Sequence, residues 1–363
     1  MDKITTSGKA FIDNYGRERI FHGFNIVDKS DFNGGKNEFG FNFDNAFFKQ
    51  FDENGFNILR LGFSWDAVEP EPGKYNDDLL DAVGVILDKC AEKDVFVYLD
   101  VHQDCYSTTC HGNGSPAWAT ITDKYKPRKP KYVWAEGYFF SRAVHRAFDN
   151  FWTNRGYQGK GLQDYYADLW KHMAEKFMDK PALFGFDYMN EPYLGKDGGK
   201  LFRKIIYKAA RVVLVDRDIR RLKLISDAIH KERRIKVLDQ FDAQIFNRIT
   251  SAGYALVKKF DIERYSPFLN KMSASVRSVT DNGILFIDNS YWSNIGIPCS
   301  NLPIEVNGKR ESKQCFQPHG YDLMVDTPAY KYASNSRVGG LFAEHKNTQE
   351  RLVVPVIVGE WGG

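Results

Sequence analysis

Runs of apolar residues recur along the chain, each closing on polar ones, and stretches with a helical period separate them. Residues 20–26, 57–63, 95–101, 183–189, 284–287, the region of 315–319, and 354–358 predict seven strands. Such continuous runs are buried on both faces, as in a parallel sheet. Between them Leu79, Leu80, Val83, Ile86, Leu87 and Cys90 recur at three and four residues, as do Leu162, Tyr166, Leu169, Trp170, Met173 and Phe177. Each set forms one apolar stripe of a helix. Alternating helices and buried strands predict an α/β architecture. A doubly wound open sheet shares that pattern but gathers ligands at one switch point, whereas here polar groups follow nearly every strand. The expectation is a (β/α)8 TIM-type barrel. The opening Ala10-Phe11-Ile12-Asp13-Asn14-Tyr15-Gly16-Arg17 predicts a hairpin turning at Asn14 to Gly16 and capping the closed end of that barrel.

Two connections are long. Residues 106–163 are rich in Gly, Pro, Lys and aromatics and are expected to cover the barrel mouth; residues 193–282 are expected to be mostly helical. The second contains a basic run, Arg217-Asp218-Ile219-Arg220-Arg221-Leu222-Lys223, read as a solvated helix face, with weak contact to anionic membrane surfaces as the alternative. Seven strands cannot close an eight-stranded barrel. Residues 1–363 are therefore expected to be one barrel domain cut before its eighth strand.

A net charge of +3 gives no argument for nucleic acid, and there is no Gly-rich phosphate loop, zinc-type cysteine spacing or low-complexity tract. Residues 1–10 have no apolar signal core, so the chain is expected to be cytoplasmic if that start is complete and secreted if a signal was removed. Among the five cysteines, Cys105 with Cys110, or Cys299 with Cys315, could form a disulfide, and Cys90 is expected in the core. Aromatic residues make up 15% of the chain, enough for both a core and rings that stack on sugars.

The chemistry concentrates in two segments. Phe184-Gly185-Phe186-Asp187-Tyr188-Met189 leads into Asn190-Glu191-Pro192, and Val353-Val354-Pro355-Val356-Ile357-Val358 leads into Gly359-Glu360-Trp361. A carboxylate at the C-terminal end of a barrel strand points into the mouth, where barrel enzymes do their chemistry. Two glutamates so placed suit proton donation and nucleophilic attack at a glycosidic bond. Arg60, His102, Asp104, Asn190, His319 and Tyr321 stand at other strand ends. The histidines lack carboxylate or cysteine companions at ligand spacing, so neither metal nor cofactor is expected.

This order of motifs (Asn57-Ile58-Leu59-Arg60-Leu61, Asp100-Val101-His102-Gln103-Asp104, Asn190-Glu191-Pro192, His319-Gly320-Tyr321 and Gly359-Glu360) resembles glycoside hydrolase family 5, whose members are retaining (β/α)8-barrel enzymes. Within it the likeness is greatest to the endoglycoceramidase group, carried also by Gly114-Ser115-Pro116-Ala117-Trp118-Ala119 and Ala147-Phe148-Asp149-Asn150-Phe151-Trp152. The family's strand-eight aromatic has no counterpart here, nor does the C-terminal β-sandwich common in that group.

The resemblance implies hydrolysis of the glycan–ceramide linkage of glycosphingolipids, with Glu191 as acid/base and Glu360 as nucleophile. A glucosylceramide or steryl-glucoside β-glucosidase, a cellulase-like endo-β-glucanase, and a non-catalytic glycan- or glycolipid-binding barrel are the alternatives. Arg60, His102, Asn190, His319 and Tyr321 are the expected supports, with His319 beside the acid. Lys29 and Asp104 match polar sugar contacts of the endoglycoceramidase group, Trp152 is a candidate for ring stacking, and Trp134 stands in reserve. Trp292, with Ile295, Ile297 and Pro298, forms an apolar stretch read either as a lipid-receiving loop or as a packed lid.

Overall fold

The computed structural model describes residues 1–29, 41–215, 219–230, 236–237, 240–325 and 330–362. Six strands form one parallel sheet in chain order: β4 (Gly23–Val27), β5 (Ile58–Ser64), β6 (Phe96–His102), β7 (Leu183–Asp187), β8 (Ile284–Asp288) and β9 (Gln314–Gln317). Pro318 has no N–H to give to a ladder, and the sixth strand resumes beyond it as β10 (His319–Tyr321). The seventh touches the sixth through a single bridge, Phe316 with Val356, and pairs regularly as β11 (Glu360–Gly362) alongside β10. The architecture is the (β/α)8 barrel, with seven strand positions filled by described residues.

The closed end is plugged as expected. Strands β1 (Ile4–Ser7), β2 (Ala10–Asp13) and β3 (Glu18–Arg19) form a three-stranded antiparallel sheet whose Phe11 packs with Ile58, Phe96, Phe184 and Ile284 at the strand starts. The first barrel strand begins later than the apolar run suggested. Ile20 is exposed, and Gly23 starts the ladder because a Cβ there would lie 1.7 Å from the Ile58 carbonyl oxygen.

Outside the sheet, α1 (Asp77–Glu92) and α2 (Leu162–Phe177) bury the two predicted stripes, including Cys90. Asn76 caps α1 by accepting from the Leu79 amide at 3.2 Å. The long fourth connection is helical where it matters most: α3 (Lys196–Val215) stands over the mouth. In the basic run, 217 and 218 lie outside the described residues, Ile219 is buried, and Leu222 on the following helix is exposed.

All five cysteines are free and buried, so neither of the two possible disulfides forms. Cys315 faces the aromatic cluster at the closed end, whereas Cys299 belongs to the main core beyond the strands, so the sheet separates them. Trp152 is likewise core. Its indole N–H donates to the Tyr193 carbonyl at 2.7 Å, and its ring packs edge-on to Phe260 and Phe268. No face of it is left for a sugar.

Candidate active site

The strand ends bring Glu191 and Glu360 together. One oxygen of each and one nitrogen of His319 lie within 4.8 Å of one another. Parallel pairing of β10 with β11 sets this, because His319 is the register partner of Glu360. Gly359 is required for the approach: a Cβ there would sit 2.2 Å from Gln317 Nε2 and 2.6 Å from His319 Nε2.

The two carboxyls sit in opposite electrostatic surroundings. Arg60 Nη1 donates to Glu360 Oε1 at 2.6 Å, and the Tyr321 hydroxyl donates to Oε2 at 3.0 Å. Burial opposes the charge on Glu360, but His319 and Arg60 outweigh it and hold the carboxyl down to about 2. Glu191 is almost fully buried, and that desolvation, with Glu360 and Asp104 nearby, raises its pKa despite the His319 contact. The surroundings thus favour the ionised form of Glu360 and the protonated form of Glu191, the division that a retaining pair needs.

Glu191 is held in a backbone conformation rare for a side chain with a Cβ, at φ 43°. Such strain costs on the order of 1–3 kcal/mol and persists where neighbours over-determine it. Here the Glu191 amide donates to Asp288 Oδ2 at 2.8 Å, and its carbonyl accepts from Gln103 Nε2 at 3.1 Å. A chain of amides then fixes the carboxyl. The His319 backbone N–H, which can only donate, reaches Asn289 Oδ1 at 2.5 Å. Asn289 Nδ2 must therefore face Asn294 Oδ1, at 2.6 Å, which turns Asn294 Nδ2 onto Glu191 Oε1, at 2.6 Å. His319 Nδ1 donates to the same oxygen at 3.0 Å. With Oε1 doubly engaged, Oε2 is the oxygen left for the proton.

Arg60 is fully buried and binds more than the nucleophile. Its Nε and Nη2 donate to Asp187 Oδ2 at 3.0 and 2.8 Å, Nη2 lies 3.1 Å from Asp100 Oδ2, and Nη2 also donates to Asn190 Oδ1 at 3.0 Å. Gly62 leaves room for this layer, since a Cβ on it would lie 2.8 Å from Asp100 Oδ2. With Asn190 Oδ1 taken by a guanidinium, its Nδ2 donates to the Gln103 carbonyl at 3.1 Å and lies 3.5 Å from His102 Nε2, and the residue lines the cleft.

His102 has Asp100 at 2.9 Å on Nδ1 and Asp104 at 3.4 Å on Nε2. Burial disfavours its charge, yet the two carboxylates raise the imidazolium to about 9. His319 is raised to about 9 as well, against burial, by Asp288, Glu360 and Glu191. Lys29 is exposed at the rim with its ammonium 2.6 Å from Asp104.

The cleft over this centre has a volume of about 500 Å³. Its floor is polar: Lys29, His102, Asp104, Asn190, Glu191, Tyr321 and Glu360. One side wall is apolar, made by Trp134, Phe139, Phe202, Ile205, Phe246, Tyr291, Trp292 and Ile295. Trp134 is thus at the site. Trp292 is nearly fully buried and stacks among Phe139 and Phe202, so its segment is packed wall rather than free loop.

The residues that sequence reading passed over are Asp100, Asp187, Asp288, Gln103, Asn289 and Asn294. Three of them had a signal, an aspartate inside an otherwise apolar strand run. As for a metal, Glu191, His319 and Glu360 could converge on a cation, but Arg60 already supplies positive charge to Glu360 and Asn294 engages Glu191.

A carboxyl pair of this spacing at the mouth of a (β/α)8 barrel is the arrangement of a retaining glycosidase, where separations of about 5–5.5 Å are usual. The family model "Cellulase (glycosyl hydrolase family 5)" matches residues 22–231, and the chain belongs to that family. An endoglycoceramidase of Cyanea nozakii is 31% identical over 292 residues, 72% of this chain and 54% of that protein. Endoglycoceramidase I of Rhodococcus hoagii is 29% identical over 194 residues, 53% of this chain and 37% of that protein. Endo-glycoceramidase II from Rhodococcus sp. superposes with a TM-score of 0.71 at 26% identity, over 98% of this chain and 68% of that one. The chain thus spans about half the length, or less, of these two curated relatives.

Proposed function

We propose that this chain forms the catalytic barrel of a retaining β-glycosidase that cleaves the glycan–ceramide linkage of glycosphingolipids. The observation that carries the reading is the division of one cleft into a polar floor around Glu191 and Glu360 and an apolar wall around Phe202 and Trp292. A glycolipid has the same division, with the scissile bond at the boundary. The names of the similar proteins support the lipid-linked substrate.

The charged Glu360 attacks the anomeric carbon while Glu191 gives its proton to the departing ceramide oxygen. A glycosyl ester on Glu360 results. Glu191, now ionised, takes a proton from water, the hydroxide oxygen bonds to the anomeric carbon, and Glu360 leaves as carboxylate. Asn190, on the cleft floor, serves the sugar 2-hydroxyl, a contact that strengthens as positive charge develops in the ring. Arg60 and Tyr321 hold the nucleophile ionised between turnovers. Lys29, Asp104 and His102 form a charged rim suited to sugar hydroxyls, and Trp134 offers a ring.

The test is product analysis on lactosylceramide, glucosylceramide, a steryl glucoside and a cello-oligosaccharide. Free lactose from lactosylceramide supports the reading. Cleavage of the cello-oligosaccharide alone refutes the lipid assignment, and release of glucose only from the monoglucosides moves it to a β-glucosidase. Binding without turnover of any substrate refutes catalysis.

A further inference from the structure

Gln103 directly follows His102, the last residue of β6, and its buried side chain turns under the loops of the mouth. Every hydrogen-bonding position of its amide is used. Oε1 accepts from the Tyr106 backbone N–H at 3.0 Å and from the Tyr138 hydroxyl at 3.3 Å. Nε2 donates to the Asn190 carbonyl at 2.9 Å and to the Glu191 carbonyl at 3.1 Å. A backbone N–H only donates and carbonyls only accept, so these four partners fix which way the amide points. Tyr106 at φ 80° and Glu191 at φ 43° both hold left-handed backbone that residues with a Cβ rarely adopt, and Gln103 bonds both. Such strain persists where neighbours over-determine it. A Cβ on Gly114 would lie 2.6 Å from Gln103 Cβ, so the loop does without a side chain to seat the amide.

The same amide touches the apolar wall. Tyr138 lies fully buried on the short helix Glu136–Phe140, whose Phe139 lines the cleft. The Tyr138 ring is held between Tyr193 and Tyr291, with centroids 4.7 and 4.3 Å away. Tyr291 also lines the cleft, and its amide donates to the Pro192 carbonyl at 3.2 Å, one residue beyond Glu191. Phe139 packs against Phe202 and Trp292 at 5.0 and 5.6 Å. A group that presses on this wall therefore reaches Gln103 through Tyr138, and reaches the acid through Gln103.

We propose that Gln103 is a positioning residue that links the apolar wall to the acid/base Glu191, so that an aglycone filling the wall steadies the proton donor and raises turnover as well as binding. The aglycone side of this link rests on the retaining-glycosidase reading above. Binding energy from a remote part of a substrate acts on kcat when it goes into orienting the reacting groups.

Three soluble lactosides test it: dinitrophenyl, whose leaving group needs little acid assistance, and methyl and octyl, which both need the acid and differ in the apolar tail. In the native protein kcat on octyl lactoside should exceed kcat on methyl lactoside several-fold. Gln103→Ala should lower kcat on both alkyl lactosides about tenfold to hundredfold, while kcat/KM on dinitrophenyl lactoside stays within about threefold. Tyr138→Phe keeps the stacked ring and removes only the hydroxyl, and it should close most of the gap between octyl and methyl. Gln103→Glu covers the case in which the alanine variant fails to fold. Its carboxylate faces two carbonyls at neutral pH and repels them, whereas its protonated form donates to one of them again. Activity of this variant on methyl lactoside, relative to the native protein, should therefore rise as pH falls.

Equal losses on alkyl and dinitrophenyl lactosides overturn the positioning role, as does a change confined to KM or a Gln103→Glu ratio that is flat with pH. Equal native kcat on octyl and methyl lactosides, or a gap that Tyr138→Phe leaves intact, overturns the link to the wall. Failure of the glycolipid reading is separable: lactosylceramide is then refused while octyl lactoside still outruns methyl lactoside in a manner that depends on Tyr138.

Discussion

Replacing Asn294 with alanine should move the alkaline limb of the pH profile upward by about half a unit to one unit. Asn294 Nδ2 donates to Glu191 Oε1 at 2.6 Å in a buried setting. A hydrogen bond to a charged group contributes about 1.5–3 kcal/mol. The protonated acid keeps roughly half of that, so the part that favours ionisation is about 0.75–1.5 kcal/mol, or about half a unit to one unit at 1.36 kcal/mol per unit. The sign follows from the role. Glu191 is active when protonated, and the donor stabilises its charged form. Removing the donor raises the pKa further, so activity persists to higher pH. Below the limb the loss in kcat/KM should stay under about tenfold, because His319 still orients Oε1. Asn294→Asp, which sets a negative charge beside the acid, should shift the limb at least as far. The assay is kcat/KM against pH on a glycolipid whose alkoxide departs poorly, with an activated aryl glycoside as the control that needs little acid assistance. An unmoved limb, or a uniform loss at every pH, would refute the assignment of Asn294 as the group that sets the acid.

Glu360→Ala should lower turnover by several orders of magnitude, and azide should restore it with a product of inverted configuration, read by NMR; restored activity with retained configuration would exclude this nucleophile. Glu191→Ala should spare activated aryl glycosides far more than lactosylceramide, so equal losses on both would remove it from the acid role. Arg60→Met leaves Asp100 and Asp187 buried without their guanidinium, and breaking a buried pair costs about 3–5 kcal/mol; a clear fall in melting temperature is expected, with the acid limb displaced upward as Glu360 loses a stabilising charge. Phe202→Ser should raise KM for lactosylceramide about tenfold through lost apolar contact while leaving kcat on a soluble aryl lactoside unchanged, and equal effects on both substrates would place Phe202 outside the lipid path.

Much of the site was legible before folding. His102, Asn190, Glu191, His319, Tyr321 and Glu360 each follow or close an apolar run, and a parallel barrel sends such positions to one mouth, whereas Arg60 lies inside strand β5 and reaches Glu360 with its long side chain. Trp152 misled because its motif placed it near functional positions. A tryptophan on a helix between two aromatic layers is buried by packing that the local sequence does not encode. The possible Cys299–Cys315 pair fails for a similar reason: standing at the flanks of one loop says nothing about which side of a sheet each thiol faces.

The sequence alone determined the order of strands and helices, the hairpin plug and which two glutamates follow apolar strand runs. These rest on local periodicity and on the rule that connections between parallel strands are helical and of one hand. Only the tertiary structure supplied the surroundings that favour charge on Glu360 and oppose it on Glu191. They depend on a guanidinium reaching from β5 to β11 and on the burial of Glu191, while an amide relay through Asn289 and Asn294 fixes where its carboxyl sits. It also gathered Trp134, Phe202 and Trp292, from three distant segments, into one wall. Electrostatic and apolar environments are sums over neighbours in space, and the chain's linear pattern carries those sums only after the barrel has closed around them.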